Sequence, residues 1–355
     1  MFNKCWIKCG FIYIGTIIGA GFASGQEIIH FFGVYGIKGL YGVLLATILF
    51  SIIPIIVLLR IKSQGIIGYD EFMKQVFGSN IGGIIEIILT LFLFISYSIM
   101  LSGGGAILKQ QLGISNTYGI YILAFLTFMT FIYSIKGLSY VNTLLIPLLV
   151  TGIIFISYNV IHSNGLDFSN FHGVKVTKNG NWITSSFLYV SYNSLSSVII
   201  LSYMISIIKS KKDIIKTGIF GGVILGIIAI SILVPILIKY TDVFNLEIPM
   251  LNVASSVNKQ SKILYSIILI FAMFTTAIAS GFSFIMRISK ATGIKKNIIS
   301  IILPLITIPI SRLGFSNLVK IFYPLFGYLG FFVFLVIIIE SILRFIKLTM
   351  TRKLL

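Results

Sequence analysis

The sequence predicts an all-α polytopic membrane protein of ten transmembrane helices, built as a 5+5 inverted repeat with discontinuous helices 1 and 6. Three observations carry that expectation. The chain of 355 residues is 57% hydrophobic and only 10% charged, with a mean hydropathy of +1.05. A soluble domain is about 25% charged, so this composition leaves too little polar surface to cover a globule in water. Apolar runs recur along the whole chain, and stretches such as Ile84–Met100 and Gly218–Ile238 are long enough to cross a hydrocarbon core of ~30 Å. Finally, polar breaks fall inside the first and the sixth of these runs.

Taken in order, apolar periodicity with polar, glycine-containing interruptions gives spans at 8–33, 38–59, 81–105, 118–134, 138–159, 182–208, 214–238, 262–286, 296–310 and 317–343. The basic start (Lys4, Lys8) runs into a long apolar stretch without a small-residue cleavage site, which reads as a first span rather than a removable leader. Cys5 and Cys9 stand without a further Cys or His cluster nearby, so they imply neither a disulfide framework nor a zinc site. Span nine is short and holds Pro304 and Pro309.

The net charge of +18 raises the question of nucleic acid. Its placement excludes that class, because the basic residues sit in short connections and tails, with no folded polar domain to carry a basic surface. With the N-terminus inside, roughly two-thirds of the 27 lysines and arginines, including Arg60, Lys62, Lys211, Lys212, Arg287 and Arg344, fall on the inner side. That bias puts both termini in the cytoplasm.

The largest polar stretch, Ile161–Asn181, divides the spans into two groups of five. Five is odd, so the second group enters from the opposite side, which is the arithmetic of an inverted repeat. The units are residues 1–160 and 182–345, joined by an outer connection at 161–181 and followed by a cytoplasmic tail at 346–355.

The two breaks occupy matching positions. The first span contains GTIIGAGFASGQE, Gly15 to Glu27, and the sixth has Ser191-Tyr192-Asn193-Ser194 at its centre. Small residues also serve close helix packing, but a matched pair points to unwound segments. Backbone leaves the helical pattern at membrane depth only against protein or a watery cavity, and there its groups become ligands. The amides around Gly21–Gly25 would meet an anionic group, and the carbonyls of Gly15–Ile18 would hold a cation. In span eight, Ala272 and the adjacent Thr275 and Thr276 add a carbonyl and two hydroxyls; the competing reading is that the threonines bond back onto their own helix.

Charged residues within spans are few. Glu27, Glu86 and Glu340 are costly in lipid unless paired, protonated or facing a cavity. With Gln26, Glu27 reads as a gate, a cap for free amides or a proton site. Glu86 and Glu340 read as interfacial. Tyr97, midway along span three, offers a hydroxyl to a substrate carboxylate or packs in the core. Ser102-Gly103-Gly104-Gly105 follows no strand, which excludes a phosphate loop. There is no ring of charges for a channel, and the three histidines, His30, His162 and His172, lie near outer connections, away from any catalytic grouping. The connection Asp242–Lys262, with LEIPMLNVASSV, suits an external lid.

GTIIGAG followed by a polar, glycine-containing stretch resembles the unwound first helix of the amino acid–polyamine–organocation superfamily, the leucine-transporter fold. Within it the chain is similar to the bacterial YkvI-type membrane proteins, regarded as amino-acid permeases. The resemblance implies one Na⁺ held by the carbonyls of Gly15 and Ile18 and by Ala272, Thr275 and Thr276. It implies a substrate carboxylate at the amides of Gly19, Ala20, Gly21, Phe22, Ala23, Ser24 and Gly25, met by Tyr97, with Tyr192, Asn193 and Ser194 lining the side-chain pocket. Span five carries no lysine where some relatives replace sodium with one, and Phe22 stands where some use a polar side chain for a second sodium. The expected activity is import of a small neutral or branched-chain amino acid by sodium symport through the bacterial cell membrane, with no organic cofactor. The rivals are a proton-coupled permease using Glu27, a channel and a membrane-bound receptor.

Overall fold

The computed structural model describes residues 5–66, 69–133, 138–165, 181–205, 208 and 210–353. Among them the chain is helical throughout. The first span is three short pieces, α1 (Cys5–Ile17), α2 (Ala20–Ser24) and α3 (Gln26–Phe31), and a 3-10 turn at Gly33–Tyr35 leads into α4 (Ile37–Gln64). Next come α5 (Tyr69–Leu112), α6 (Asn116–Tyr133), α7 (Leu138–Asn164), α8 (Trp182–Met204) and α9 (Lys211–Ile238). The short α10 (Tyr240–Val243) and α11 (Pro249–Val257) precede α12 (Lys259–Thr292), α13 (Lys296–Ser311) and α14 (Phe315–Lys353).

Each of the ten expected spans coincides with helix. Among the described residues six are long and apolar enough to cross a membrane: Ile37–Gln64, Ile81–Leu112, Leu145–Asn164, Lys211–Ile238, Lys259–Thr292 and Phe315–Glu340. The chain is therefore a multi-pass membrane protein. Its outward surface agrees, since Ile48, Leu91, Phe125, Leu264, Leu305 and Phe332 are exposed and only lipid covers such a surface at low cost. Helix α5 is longer than expected because a kink at Gly78 (φ 72°) joins a short leading helix to the span. Most of the expected 161–181 connection lies outside the described residues.

Local chemistry sets the ends. Ser210 and Asp213 form a reciprocal capping box that starts α9, and the Asn258 side chain accepts from the Ser261 amide at 2.7 Å to start α12. Prolines 54, 147, 235, 304, 309 and 324 lie inside helices, tolerable where neighbouring helices and Ser/Thr side chains satisfy the freed backbone.

Glycines set the closest crossings. Gly218, Gly222 and Gly226, four residues apart on α9, face Ser51, Ile55 and Thr47 of α4 so closely that a Cβ at any of them would collide. On α14, Gly327 and Gly330 abut the carbonyls of Leu188 and Ser191 on α8. The Gly103–Gly105 run serves the same purpose: it lies inside α5 and meets Met273, Leu123 and Asn116.

One expectation is corrected. The sixth span is not broken at Ser191–Ser194, because α8 runs unbroken from Trp182 to Met204. The segment contains no glycine or proline. Asn193 turns back onto its own helix instead, its Nδ2 donating to Tyr189 O at 3.0 Å, and just beyond the segment Ser197 Oγ donates to Ser194 O at 2.9 Å.

Candidate functional site

The break in the first span is built by three glycines. At the end of α1 the Gly19 amide turns to Ile17 O at 2.8 Å, leaving the α-helical pattern that would direct it to Gly15 O. Gly19 is extended (φ −102°, ψ −178°), and the ladder resumes with the Ala23 amide on Gly19 O at 3.1 Å. Gly25 then takes φ +81°, a left-handed conformation that favours glycine, and ends α2 while starting α3. Ser24 Oγ donates to Gly21 O at 2.7 Å and accepts from the Gln26 amide at 3.2 Å, stitching the two short helices together.

The α12 helix lies against this break. A Cβ at Gly19 would sit 3.8 Å from Thr276 Oγ1, so one of the expected cation ligands of the eighth span lies beside a residue expected to bind substrate, one position after Ile18. Thr275 Oγ1 donates to Ala272 O at 3.2 Å, a bond inside its own helix. Ile18 and Ala272 are buried, and Gly15 faces Ile146 of α7. Among the described residues no group of three His, Cys, Asp or Glu side chains could hold a metal. A site of carbonyls and hydroxyls is of another kind.

The residues from Ala20 to Gly25 are buried and closely covered. Tyr265 of α12 donates to Ala23 O at 2.7 Å. Met250 of α11 and Ile236 of α9 close over Gly25, which places α11, within the expected lid, against the break. Glu247, just before α11, accepts from the Phe315 amide at 2.7 Å and ties this cover to the start of α14.

Glu27 lies at the centre of an aromatic group. It is 4% exposed. Its carboxylate accepts a hydrogen bond from Tyr192 of α8 and folds back over Gly21, where a Cβ would fall on it and lie 3.1 Å from the Tyr323 hydroxyl of α14. The rings of Phe31, Tyr192 and Tyr323 stack in sequence, with centroids 5.7 and 4.6 Å apart and interplanar angles of 17° and 21°. Tyr189 packs edge-on against Tyr192, Phe32 and Phe50, and its buried hydroxyl, like that of Ser194, has no hydrogen-bond partner among the described residues. Among the described residues no cationic side chain pairs with Glu27.

A cavity of about 890 Å³ opens on the other side of α3. Gln26, Phe31 and Ser316 line it, with Thr184, Lys320 and Tyr328 among its other residues. Gln26 Nε2 bonds to Ser316 Oγ, joining α3 to α14. Phe31 is thus shared between the cavity and the ring stack.

The structure brings Gly21, Phe22, Glu27 and Tyr192 together and leaves Tyr97 elsewhere. Tyr97 is fully buried and shares a 2.8 Å hydrogen bond with Thr127 of α6. Tyr189 and Tyr323 carry no signal in sequence, as aromatics in apolar helices. The other intramembrane carboxylates are paired: Glu340 with Arg60 of α4, and Glu86 with Arg287 at 4.0 Å.

Helices packed around a broken first span define a fold, and solved structures share it. The chain matches a complex of MhsT with L-phenylalanine (TM-score 0.63, 14% identity, 94% of this chain and 88% of that one). It matches inward-facing Mhp1 (0.59, 13%, 91% and 72%) and a manganese transporter from Eremococcus coleocola (0.58, 12%, 93% and 78%). This is the leucine-transporter fold. In sequence the chain is similar to the uncharacterized membrane protein YkvI of Bacillus subtilis, 28% identical over 324 residues covering 91% of this chain and 92% of that one. It is also similar to YyaD of the same organism, 27% identical over 346 residues (97% and 99%). No protein-family profile matches the chain.

Proposed function

We propose that this protein is a secondary active transporter that imports a small neutral amino acid, together with Na⁺, by alternating access. The carrying observation is the broken first span with Thr276 beside Gly19, which puts backbone that has left the helical pattern and a hydroxyl at one point inside the protein. The fold shared with transporters supports the reading, and the phenylalanine held by MhsT supports the substrate class. In this reading the ten helical segments form two inverted sets of five. Equivalent members then pack on one another: α1 on α8, α4 on α9, α5 on α12 and α6 on α13. Both termini are cytoplasmic, and the protein is not an enzyme.

In the cycle, substrate enters through the 890 Å³ cavity and reaches the break once Gln26 releases Ser316. The first, second, sixth and seventh spans then rock against the others and open the inner side. The membrane potential favours inward movement of Na⁺ by roughly 2.3 kcal/mol per charge per 100 mV.

A second reading, proton coupling, is favoured by the burial of Glu27 among tyrosines. Uptake of labelled amino acids into proteoliposomes, with sodium and proton gradients imposed separately, decides between them. Accumulation driven by sodium alone supports the first reading, and accumulation driven only by a proton gradient supports the second. Absence of gradient-driven uptake across the amino acids refutes amino-acid transport, and unitary ion currents would make the protein a channel.

A further inference from the structure

A buried carboxylate in a membrane protein must be neutralised by a proton or paired with a cation. Glu340 and Glu86 meet arginines. Glu27 is more buried than either and, among the described residues, meets only hydroxyls and ring faces: Tyr192 as donor, with Tyr323 and Tyr189 alongside. The protein supplies no cation at this point, and the surroundings suit one from outside. The rings of Phe31, Tyr192 and Tyr323 stack face to face within the same group, and a ring face released from that stack would attract an organic ammonium group. The buried hydroxyls of Tyr189 and Ser194, unpartnered among the described residues, leave polar capacity on the same helix. Phe31 alone belongs to both the ring stack and the wall of the cavity.

We propose that Glu27 is the counter-ion for the ammonium group of the transported substrate, flanked by the rings of Phe31 and Tyr192, and that a proton takes that place when the substrate is absent. The inference rests on the transporter reading and adds a substrate class to it: the site selects for an amine and does not require a substrate carboxylate. The carboxylate of Glu27 already lies over Gly21, within the stretch expected to receive such a group.

Three probes that share one carbon skeleton separate the parts: leucine, 3-methylbutan-1-amine (leucine without its carboxylate) and 4-methylpentanoate (leucine without its amine). Their effect on thermal unfolding is measured on the purified full-length protein and on Glu27→Gln, in sodium and in potassium. The expected result is stabilisation of the wild type by leucine and by the amine but not by the acid, with half-saturation about tenfold weaker or more in Glu27→Gln, a loss of ~1.4 kcal/mol. Equal responses of wild type and variant to both amines, including no response in either, overturn the proposal. So does stabilisation by the acid that matches the amine, or a sodium effect lost in Glu27→Gln while the amine effect remains.

Should Glu27→Gln fail to fold, the wild type alone gives the answer. A proton on Glu27 excludes the ammonium, so the amine must bind more tightly as pH rises from the acid range through neutral. The groups facing Glu27 from α8 and α14, Tyr189, Tyr192 and Tyr323, do not ionise there. His30, on α3 itself, interacts with the Lys320 backbone, and His30→Asn must leave the pH dependence in place. PH-independent amine binding overturns the proposal. Gradient-driven leucine uptake with amine-insensitive Glu27 would leave the transporter reading intact, whereas Glu27-dependent amine binding without uptake would do the reverse.

Discussion

The Tyr192 hydroxyl donates to the Glu27 carboxylate and so joins the continuous α8 to the outer piece of the broken first span. Two elements far apart in sequence are joined here, and Ser185 Oγ of α8 adds a second bond by donating to Phe31 O at 2.7 Å. Replacing Tyr192 by Phe keeps the ring stack with Phe31 and Tyr323 but removes the donor. The expected cost is about 2 kcal/mol of stability, read as a lowered unfolding temperature, together with a fall in uptake.

At Gly21 the limit is steric. A Cβ there would fall on the Glu27 carboxylate and beside the Tyr323 hydroxyl. Gly21→Ala should therefore displace Glu27, cost about 2 kcal/mol and abolish uptake. Gly83→Ala, where nothing lies within 4 Å of the added atom, serves as the matched control and should be neutral or slightly stabilising.

The two threonines of α12 should behave differently. Thr275 is bonded to Ala272 O within its helix, whereas Thr276 stands beside Gly19. Thr276→Val should raise the sodium concentration for half-maximal uptake about tenfold, a change of ~1.4 kcal/mol, and Thr275→Val should raise it less. The reverse order would assign the ion-facing hydroxyl to Thr275.

Arg60 and Glu340 tie α4 to α14, with side-chain exposures of 5% and 23%. Glu340→Gln leaves Arg60 buried without its partner and should cost about 3 kcal/mol. The double variant Arg60→Met with Glu340→Met should recover most of it. Thermal unfolding of the two single variants and the double variant gives the coupling directly.

The helices were legible in the sequence because each long apolar run has one physical outcome in a membrane. The first break was legible for a related reason, since Gly19, Gly21 and Gly25 supply the freedom and the close approach that unwinding requires. The symmetry argument then failed at Ser191–Ser194, because polar side chains can bond within a helix and need no unwinding, and only glycine or proline would have marked a true break. Tyr97 could not be placed from sequence for a similar reason: a mid-span hydroxyl can serve a substrate or, as here, bond to Thr127 on a neighbouring helix. Glu27 stood out as a buried charge, yet its partners Tyr323 and Tyr189 come from helices whose aromatic residues give no hint of what they face.

Tyr265 holds Ala23 to α12, and Ser24 caps α2 from within, so α2 is anchored to its neighbours on the inner side of Gly25. Any swing of the outer piece must then turn about that one residue. The six residues of α3 act as a lever arm of about 9 Å, and a 20° turn at Gly25 carries the far end, with Phe31, about 3 Å. A pivot so short and so local needs no wholesale rearrangement, and a side chain at Gly25 would jam it.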